Sequence, residues 1–195
     1  HSLPHGPLAD LLDAFMQDTG NPRYADRAGL LDYCRRSANP VGRLLLHLYR
    51  IGDERALAQS DAICSALQLI NFWQDCSVDL PRGRVYLPLE DAHRHGVSLD
   101  DPAVLADCPA TRALIAELCG WARSLMLQGA PLALRIPGRA GWELRLVVQG
   151  GLRILEKIDL MYHSTIRQRP VLTVADGGPM LWRAWRMRPT PGVRG

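Results

Sequence analysis

The sequence lacks long apolar runs, paired cysteine motifs and a strong excess of either charge. No stretch approaches the roughly 20 apolar residues that a membrane-spanning helix requires, and no signal-peptide pattern is present. The five cysteines are odd in number and no two form a C-x-x-C pair. This argues against a disulfide framework or a zinc site and favours a reducing cytoplasm. A net charge of +3 over 195 residues is too small to indicate nucleic-acid binding.

The period-two alternation of β-strands is also scarce, whereas the spacing of amphipathic helices recurs along the chain. We therefore predict an all-α fold, and 47% apolar residues in a chain of this length are enough for one core. Helices are predicted over residues 8–17, 28–51 with a break near Pro40, 55–80, 111–134 with a kink or an early end at Gly129 or Pro131, 142–166 and 180–187. Residues 81–110 are predicted to be mixed short pieces separated by Pro and Gly, and residues 136–141 are predicted to be a loop.

Four polar residues share one face of the predicted helix 55–80. Gln68, Asn71, Asp75 and Asp79 follow one another at steps of three, four and four residues, which places them on the same side of a helix. Two carboxylates four residues apart repel by a few tenths of a kcal/mol. Carboxylate and amide oxygens are ligands that Mg²⁺ accepts, so the face predicts a magnesium site. The alternative is a solvated polar face without a ligand.

The rest of this helix favours the metal interpretation. Most other positions are apolar, which predicts a largely buried helix: Ile63, Leu67, Leu69, Ile70, Phe72, Trp73 and Val78. Buried aspartates need a metal, a cation or a water-filled cavity. Arg82 and Arg84 follow closely, and a guanidinium group suits both carboxylate and diphosphate oxygens. Surface salt bridges are the alternative for these two arginines.

Several separated motifs, taken together, resemble the squalene/phytoene synthase family. They cover nearly the whole chain in the family's order: Asp18 with Arg23-Tyr24, Tyr33-Cys34-x-x-x-Ala38-x-x-Val41-Gly42, Gln68-x-x-Asn71-x-x-x-Asp75-x-x-x-Asp79, Arg82-Gly83-Arg84-x-Tyr86-Leu87-Pro88, Gly150-Gly151 and Arg167-x-Arg169-Pro170. Within the family, Asn39-Pro40 and Phe72-Trp73-Gln74 are most similar to bacterial hydroxysqualene synthases of hopanoid pathways. Many members carry Arg where Gln74 stands, which removes one cation that could hold diphosphate.

The resemblance implies an isoprenoid synthase-type helical bundle around a central cavity. It implies that Asn71, Asp75 and Asp79 hold Mg²⁺ and take part in catalysis. Gln68, Arg82 and Arg84 would bind the diphosphate of the substrate. Tyr33 would line the cavity or donate a hydrogen bond to diphosphate, and an ordinary core tyrosine is the alternative. Phe72 and Trp73 are expected to pack in the core, and Cys76 is expected to be structural.

The resemblance further implies the reaction. Presqualene diphosphate would ionise and water would capture the cation, giving hydroxysqualene and diphosphate. The alternatives are a head-to-head prenyl transferase that makes presqualene diphosphate, squalene or phytoene, and a noncatalytic relative that acts as a scaffold. Other hopanoid-pathway enzymes are the implied protein partners, and the implied location is the cytoplasm or the inner face of a bacterial membrane.

The family has two aspartate-rich motifs on facing helices, and only the second is visible here. The chain begins at His1, so we expect a fragment or processed form whose first motif lies upstream and which is inactive alone. Residues 1–187 would be a partial isoprenoid synthase domain and 188–195 a C-terminal tail. The preceding stretch mixes Trp182 and Trp185 with arginines. It is expected either to contact an anionic membrane surface or to dock on the core.

Overall fold

A computed structural model describes residues 4–188. Within this range every regular element is a helix and no strand is present, so the all-α prediction is confirmed. The α-helices are α1 (His5–Asp18), α2 (Arg27–Ser37), α3 (Asn39–Leu48), α4 (Glu54–Gln74), α5 (Cys76–Asp79), α6 (Leu89–Arg94), α7 (Pro109–Gly129), α8 (Leu132–Arg135), α9 (Gly138–Leu160) and α10 (Val174–Arg186). Short 3-10 turns span Leu80–Arg82 and Pro102–Val104. None of the described helices combines the length and hydropathy needed to cross a membrane.

Helix α4 forms the centre of the bundle. Asp53 is the N-cap residue of this helix. Its carboxylate accepts a hydrogen bond of 3.0 Å from the backbone N–H of Ala56, which stabilises the first turn. The helix packs most extensively on α7 and also on α3 and α9. Trp73 and Leu69 are fully buried on it. The sequence prediction of a mostly buried helix is therefore confirmed.

Two glycines allow neighbouring helices to approach α4 closely. A Cβ atom added at Gly42 of α3 would lie 2.3 Å from the Ser60 hydroxyl oxygen. One added at Gly129, the last residue of α7, would lie 2.6 Å from the backbone oxygen of Gln59. Since real Cβ atoms do not approach other atoms so closely, these positions fix the packing distance on both sides of α4.

The first half of the chain departs from the predicted helices mainly at Asp75. The predicted break near Pro40 is confirmed, because α2 ends at Ser37 and α3 starts at Asn39. The single helix predicted over 55–80 is wrong, since α4 ends at Gln74 and Asp75 has φ −97° and ψ 11°. The Cys76 thiol donates to the Phe72 carbonyl over 3.3 Å, which competes with the regular helical bond at this point.

The second half departs at both ends of α9. The loop predicted over 136–141 is wrong in its second part, because α9 already begins at Gly138. Its end at Leu160, rather than at 166, is followed by Tyr162 and His163 with φ of 54° and 59°, left-handed values that no helix accommodates. The last helix begins at residue 174, before the predicted 180, because Thr173 and Asp176 form a capping box. Apart from Arg188, the predicted tail 188–195 lies outside the described residues.

Candidate diphosphate and metal site

The predicted polar face survives the break in the helix. Asp75 caps the end of α4 and Asp79 ends α5. The backbone N–H of Asp79 donates to the Asp75 carbonyl over 2.9 Å, which keeps the helical four-residue spacing between the two acids. Asn71 is exposed, while Gln68 and both acids are half-buried. All four side chains are therefore at least partly accessible around the α4–α5 junction.

The two acids influence each other electrostatically. Partial burial raises the pKa of the Asp79 carboxyl above its ordinary value, and the negative charge of Asp75 raises it further. The positive charges of Arg84, Arg82 and Arg169 act in the opposite direction. The two carboxylates repel each other and are surrounded by positively charged side chains. A divalent cation bound between them would relieve the repulsion.

Arg169 is the site residue that sequence reasoning missed. Its guanidinium group forms an ion pair with the Asp75 carboxylate through Nε, and Nη2 lies 3.5 Å from the second carboxylate oxygen. The sequence offered only the Arg167-x-Arg169-Pro170 motif as a signal, without indicating which acid it would meet. The exposed Arg82 and Arg84 add two more guanidinium groups near Asp79, as predicted for the region of the diphosphate.

Tyr33 belongs to an aromatic cluster beside this site. Its ring is buried, and its hydroxyl donates to both carboxylate oxygens of Asp18 over 2.8 and 2.9 Å. Burial and this hydrogen bond raise the pKa of the Tyr33 hydroxyl. Its ring lies 6.1 Å from Phe72 and 6.3 Å from Tyr86. The hydroxyl is thus satisfied inside the protein, while a role toward substrate stays a prediction.

Tyr86 links the aromatic cluster to the acids. Its ring stacks on Phe72 with 3.8 Å between centroids and an interplanar angle of 6°. Burial raises the pKa of its hydroxyl, and the charges of Asp18 and Asp79 raise it further. Asp18 and Asp79 therefore both lie near Tyr86. The predicted core positions of Phe72 and Trp73, which are 6% and 0% exposed, are confirmed, as is the buried position of Cys76.

An apolar groove approaches the polar site along α4. It has a volume of about 320 Å³ between α3, α4, α8 and α9 and is lined by Leu45, Leu46, Ile63, Leu132, Ile136 and Leu144 among others. A second space of about 370 Å³ contains Asn71 and Arg169 in its lining. Leu67 and Val147 border both spaces. A long hydrocarbon in the groove could therefore place a polar end group at Asn71 and Arg169.

Comparison with known proteins gives the same assignment as the motifs. A family model described as squalene/phytoene synthase matches residues 1–175. The chain belongs to the squalene/phytoene synthase family. Its relatives include a phytoene synthase from Thermus thermophilus, 34% identical over 193 residues, covering 97% of this chain and 66% of that protein. A hydroxysqualene synthase from Rhodopseudomonas palustris is 35% identical over 159 residues, covering 80% of this chain and 54% of that protein.

A solved structure supports the family fold. The crystal structure of squalene synthase HpnC from Alicyclobacillus acidocaldarius has a TM-score of 0.79 and 36% identity, covering 83% of this chain and 61% of that one. This squalene/phytoene synthase family member thus spans between about half and two thirds of the length of these relatives. The isoprenoid synthase helical fold predicted from the resemblance is confirmed.

The donor set of this family member suits Mg²⁺ better than a transition metal. Among residues 4–188 no group of three or more His, Cys, Asp or Glu side chains is arranged to hold a metal. Asp75 and Asp79 provide two carboxylates, and Asn71 adds an amide oxygen. Mg²⁺ commonly uses one or two carboxylates and completes its shell with water and substrate phosphates. The residues therefore fit the ion that the sequence predicted.

The raised pKa of Asp79 predicts how Asp79→Asn changes stability with pH. A carboxyl whose folded pKa exceeds its unfolded pKa costs stability once ionised, and this cost disappears below the unfolded value of about 3.9. We expect Asp79→Asn to raise the free energy of unfolding at neutral pH, with the gain vanishing as the pH falls below that value. Urea denaturation at neutral pH and at a pH below about 3.9 measures the free energy of unfolding of both proteins.

The exposed Asp13 on α1 supplies the matched control, since Asp13→Asn removes the same charge away from the site. An Asp79→Asn variant that is less stable than the parent protein at neutral pH would show that the carboxylate is well compensated. In that case the electrostatic description of the site would be wrong.

Proposed function

We propose that this chain contributes one half of a magnesium-dependent site that ionises a prenyl diphosphate. The observation that supports the proposal is the position of Asp75 and Asp79 among the charges of Arg82, Arg84 and Arg169, with Arg169 and Asn71 lining a space that adjoins an apolar groove. Asn71, Asp75 and Asp79 would hold Mg²⁺, which acts as a Lewis acid toward diphosphate oxygens when bound. The family's other aspartate-rich motif would supply the other half.

The arginines would stabilise the departing diphosphate. Diphosphate leaves only if its developing negative charge is neutralised, and preorganised guanidinium groups provide this without reorganisation during the reaction. Arg169 forms an ion pair with Asp75, and its guanidinium group would turn to the diphosphate as negative charge develops there. Gln68 would donate to a diphosphate oxygen from the same face.

The groove and the aromatic cluster would protect the cation that remains. An allylic or cyclopropylcarbinyl cation survives only where water is excluded. The groove is lined mainly by aliphatic side chains, and aromatic faces such as that of Tyr86 can stabilise a positive charge. Tyr33, tied to Asp18, would hold this aromatic wall in place and face the substrate with its ring.

We propose hydroxysqualene synthase as the specific activity, with presqualene diphosphate as substrate. Water would capture the rearranged cation and lose a proton to the departed diphosphate, and Asn71 or Gln68 would orient that water. Relatives named hydroxysqualene synthase at 35% and 41% identity support the proposal. The alternative is a head-to-head prenyl transferase, which the relative named phytoene synthase and one named presqualene diphosphate synthase at 36% identity favour.

Product analysis of the full-length protein tests the specific activity. With presqualene diphosphate and Mg²⁺ but no reductant, we expect an alcohol of hydroxysqualene mass by gas chromatography with mass spectrometry. Asp75→Ala should lower the rate by at least about 100-fold, the scale of losing a charge-stabilising group. Asp32→Ala serves as control, since Asp32 is an exposed acid paired with Arg35 and Arg36 on α2.

Two other results would redirect the assignment. Condensation of farnesyl diphosphate without any alcohol product would establish the prenyl transferase alternative. Binding of a diphosphate analogue that needs no Mg²⁺ and persists in Asp75→Ala would favour a noncatalytic scaffold, and the enzymatic proposal would then be contradicted.

The outward face of α10 supports a further part of the proposal, contact with an anionic membrane surface. Leu181, Trp182 and Trp185 are 49%, 55% and 72% exposed, while Ala184 on the opposite face is buried. Arg186 stacks over the Trp182 ring at 4.7 Å. Exposed tryptophans beside arginines match the chemistry of an anionic lipid interface, which would receive an isoprenoid product.

Vesicle cosedimentation tests the membrane contact. We expect binding to vesicles that contain anionic lipid, no binding to neutral vesicles, and loss of binding in the double variant Trp182→Ala, Trp185→Ala because the apolar anchor is removed. Phe15→Ala removes an aromatic ring that is 60% exposed on α1 and should leave binding unchanged. Equal binding to neutral and anionic vesicles would contradict the proposal.

A further inference from the structure

The segment 164–170 carries Arg169 to the acids but contains no regular secondary structure. It follows the left-handed residues Tyr162 and His163 and leads to α10. A flexible arginine at an exposed position gains little from a single ion pair, because holding its side chain in one geometry costs entropy. The position of Arg169 therefore depends on what fixes the backbone of this segment.

The beginning of the segment is fixed by Asp107. The Ser164 hydroxyl donates to Asp107 Oδ2 over 2.6 Å, and Arg167 Nε lies 2.9 Å from the same oxygen. Arg112 binds both carboxylate oxygens at 2.8 Å, and the Asp107 side chain is only 2% exposed. These contacts hold the pKa of Asp107 at about 2, so this anchor stays charged at neutral pH.

The end of the segment is fixed by Gln74. Its side-chain Nε2 donates to the Pro170 carbonyl over 2.6 Å, in a buried environment. Pro170 is itself buried, and a buried carbonyl that is left without a donor destabilises the folded state. Gln74 directly precedes Asp75, just as Arg169 directly precedes Pro170. Two adjacent residues at the end of α4, Gln74 and its C-cap Asp75, thus hold two adjacent residues of the segment.

This pairing sets the register between the segment and the acids. Gln74 holds Pro170 through a neutral hydrogen bond, and Asp75 then meets Arg169 through an ion pair. A metal at Asp75 would compete with Arg169 for the carboxylate. The hydrogen bond from Gln74 to the Pro170 carbonyl would persist during such an exchange, because neither of the two groups that form it is charged.

We propose that Gln74 is a positioning residue that keeps the Arg169 guanidinium at the diphosphate site. This inference rests on the proposed function, since Arg169 would turn from Asp75 to a diphosphate oxygen when metal and ligand bind. Gln74 also borders the space that contains Asn71 and Arg169, but in this role its side-chain donor is engaged by the Pro170 carbonyl and not by metal or ligand. It acts through the Pro170 carbonyl.

The first test observes Arg169 by NMR in the whole chain, without ligand. The Arg169 Nε–H signal, assigned through its loss in Arg169→Lys, should exchange slowly with water in the parent protein and rapidly in Asp75→Asn. Gln74→Met keeps the volume of the side chain but removes the donor, and we expect rapid exchange there as well. Gln74→Asn, which is too short to reach Pro170, should behave in the same way and serves if Gln74→Met does not fold.

The matched control is Ser65→Ala. It removes another buried hydrogen bond of α4, from the Ser65 hydroxyl to Asn39 Oδ1 at 2.9 Å, and should leave the Arg169 signal unchanged. Slow exchange of Arg169 in the Gln74 variants would overturn the positioning role. So would rapid exchange in Ser65→Ala, because any loss of stability would then release Arg169.

The second test measures binding of inorganic pyrophosphate with Mg²⁺ to the full-length protein by calorimetry. We expect the Gln74 variants to bind about tenfold more weakly, the scale of one charge-assisted hydrogen bond, and Ser65→Ala to bind normally. Rapid exchange of Arg169 with unchanged affinity would overturn the inference. If the parent protein binds no pyrophosphate while the Gln74 variants still release Arg169, the proposed function fails and not the contact between Gln74 and Arg169.

Discussion

The site depends on one constraint. Two carboxylates must be held near each other at the end of a buried helix. The core fixes α4 through Trp73, Leu69 and the close approaches at Gly42 and Gly129, so the positions of Asp75 and Asp79 follow from packing. Their repulsion and partial burial destabilise the folded state, and favourable packing elsewhere in the protein must offset this cost. Sites of this kind are retained where a function requires them.

The arginines of the site come from two parts of the chain, and different contacts hold each part in place. Arg82 and Arg84 follow the acids directly, and the turn after Pro81 presents them to solvent. Arg169 arrives from 94 residues away on a segment that Asp107 and Gln74 hold at its two ends. Gln74 donates to the Pro170 carbonyl beside Arg169, so a neutral side chain at the end of α4 contacts the backbone that carries this cation.

The sequence predicted what depends on local periodicity. The polar face of Gln68, Asn71, Asp75 and Asp79 and the buried positions of Phe72 and Trp73 follow from helical spacing alone. The helix break at Asp75 could not be predicted in this way, since it involves the Cys76 thiol and the Phe72 carbonyl. The ion pair of Arg169 was equally inaccessible because it depends on tertiary packing. The predicted end of α9 at residue 166 lies beyond its observed end at Leu160. The left-handed turn at Tyr162 and His163 contains no glycine that would have indicated it in the sequence.

Anomalous diffraction from crystals of the full-length protein, grown with Mn²⁺ and pyrophosphate, would show whether the two acids hold a metal. Mn²⁺ takes the place of Mg²⁺ at oxygen sites and can be located by its anomalous signal. We expect a metal peak bound by Asp75 or Asp79 and bridged to pyrophosphate, with Arg169 turned from Asp75 to a phosphate oxygen. Pyrophosphate bound with no metal at either acid, or both acids directed into bulk solvent, would contradict the proposed magnesium site.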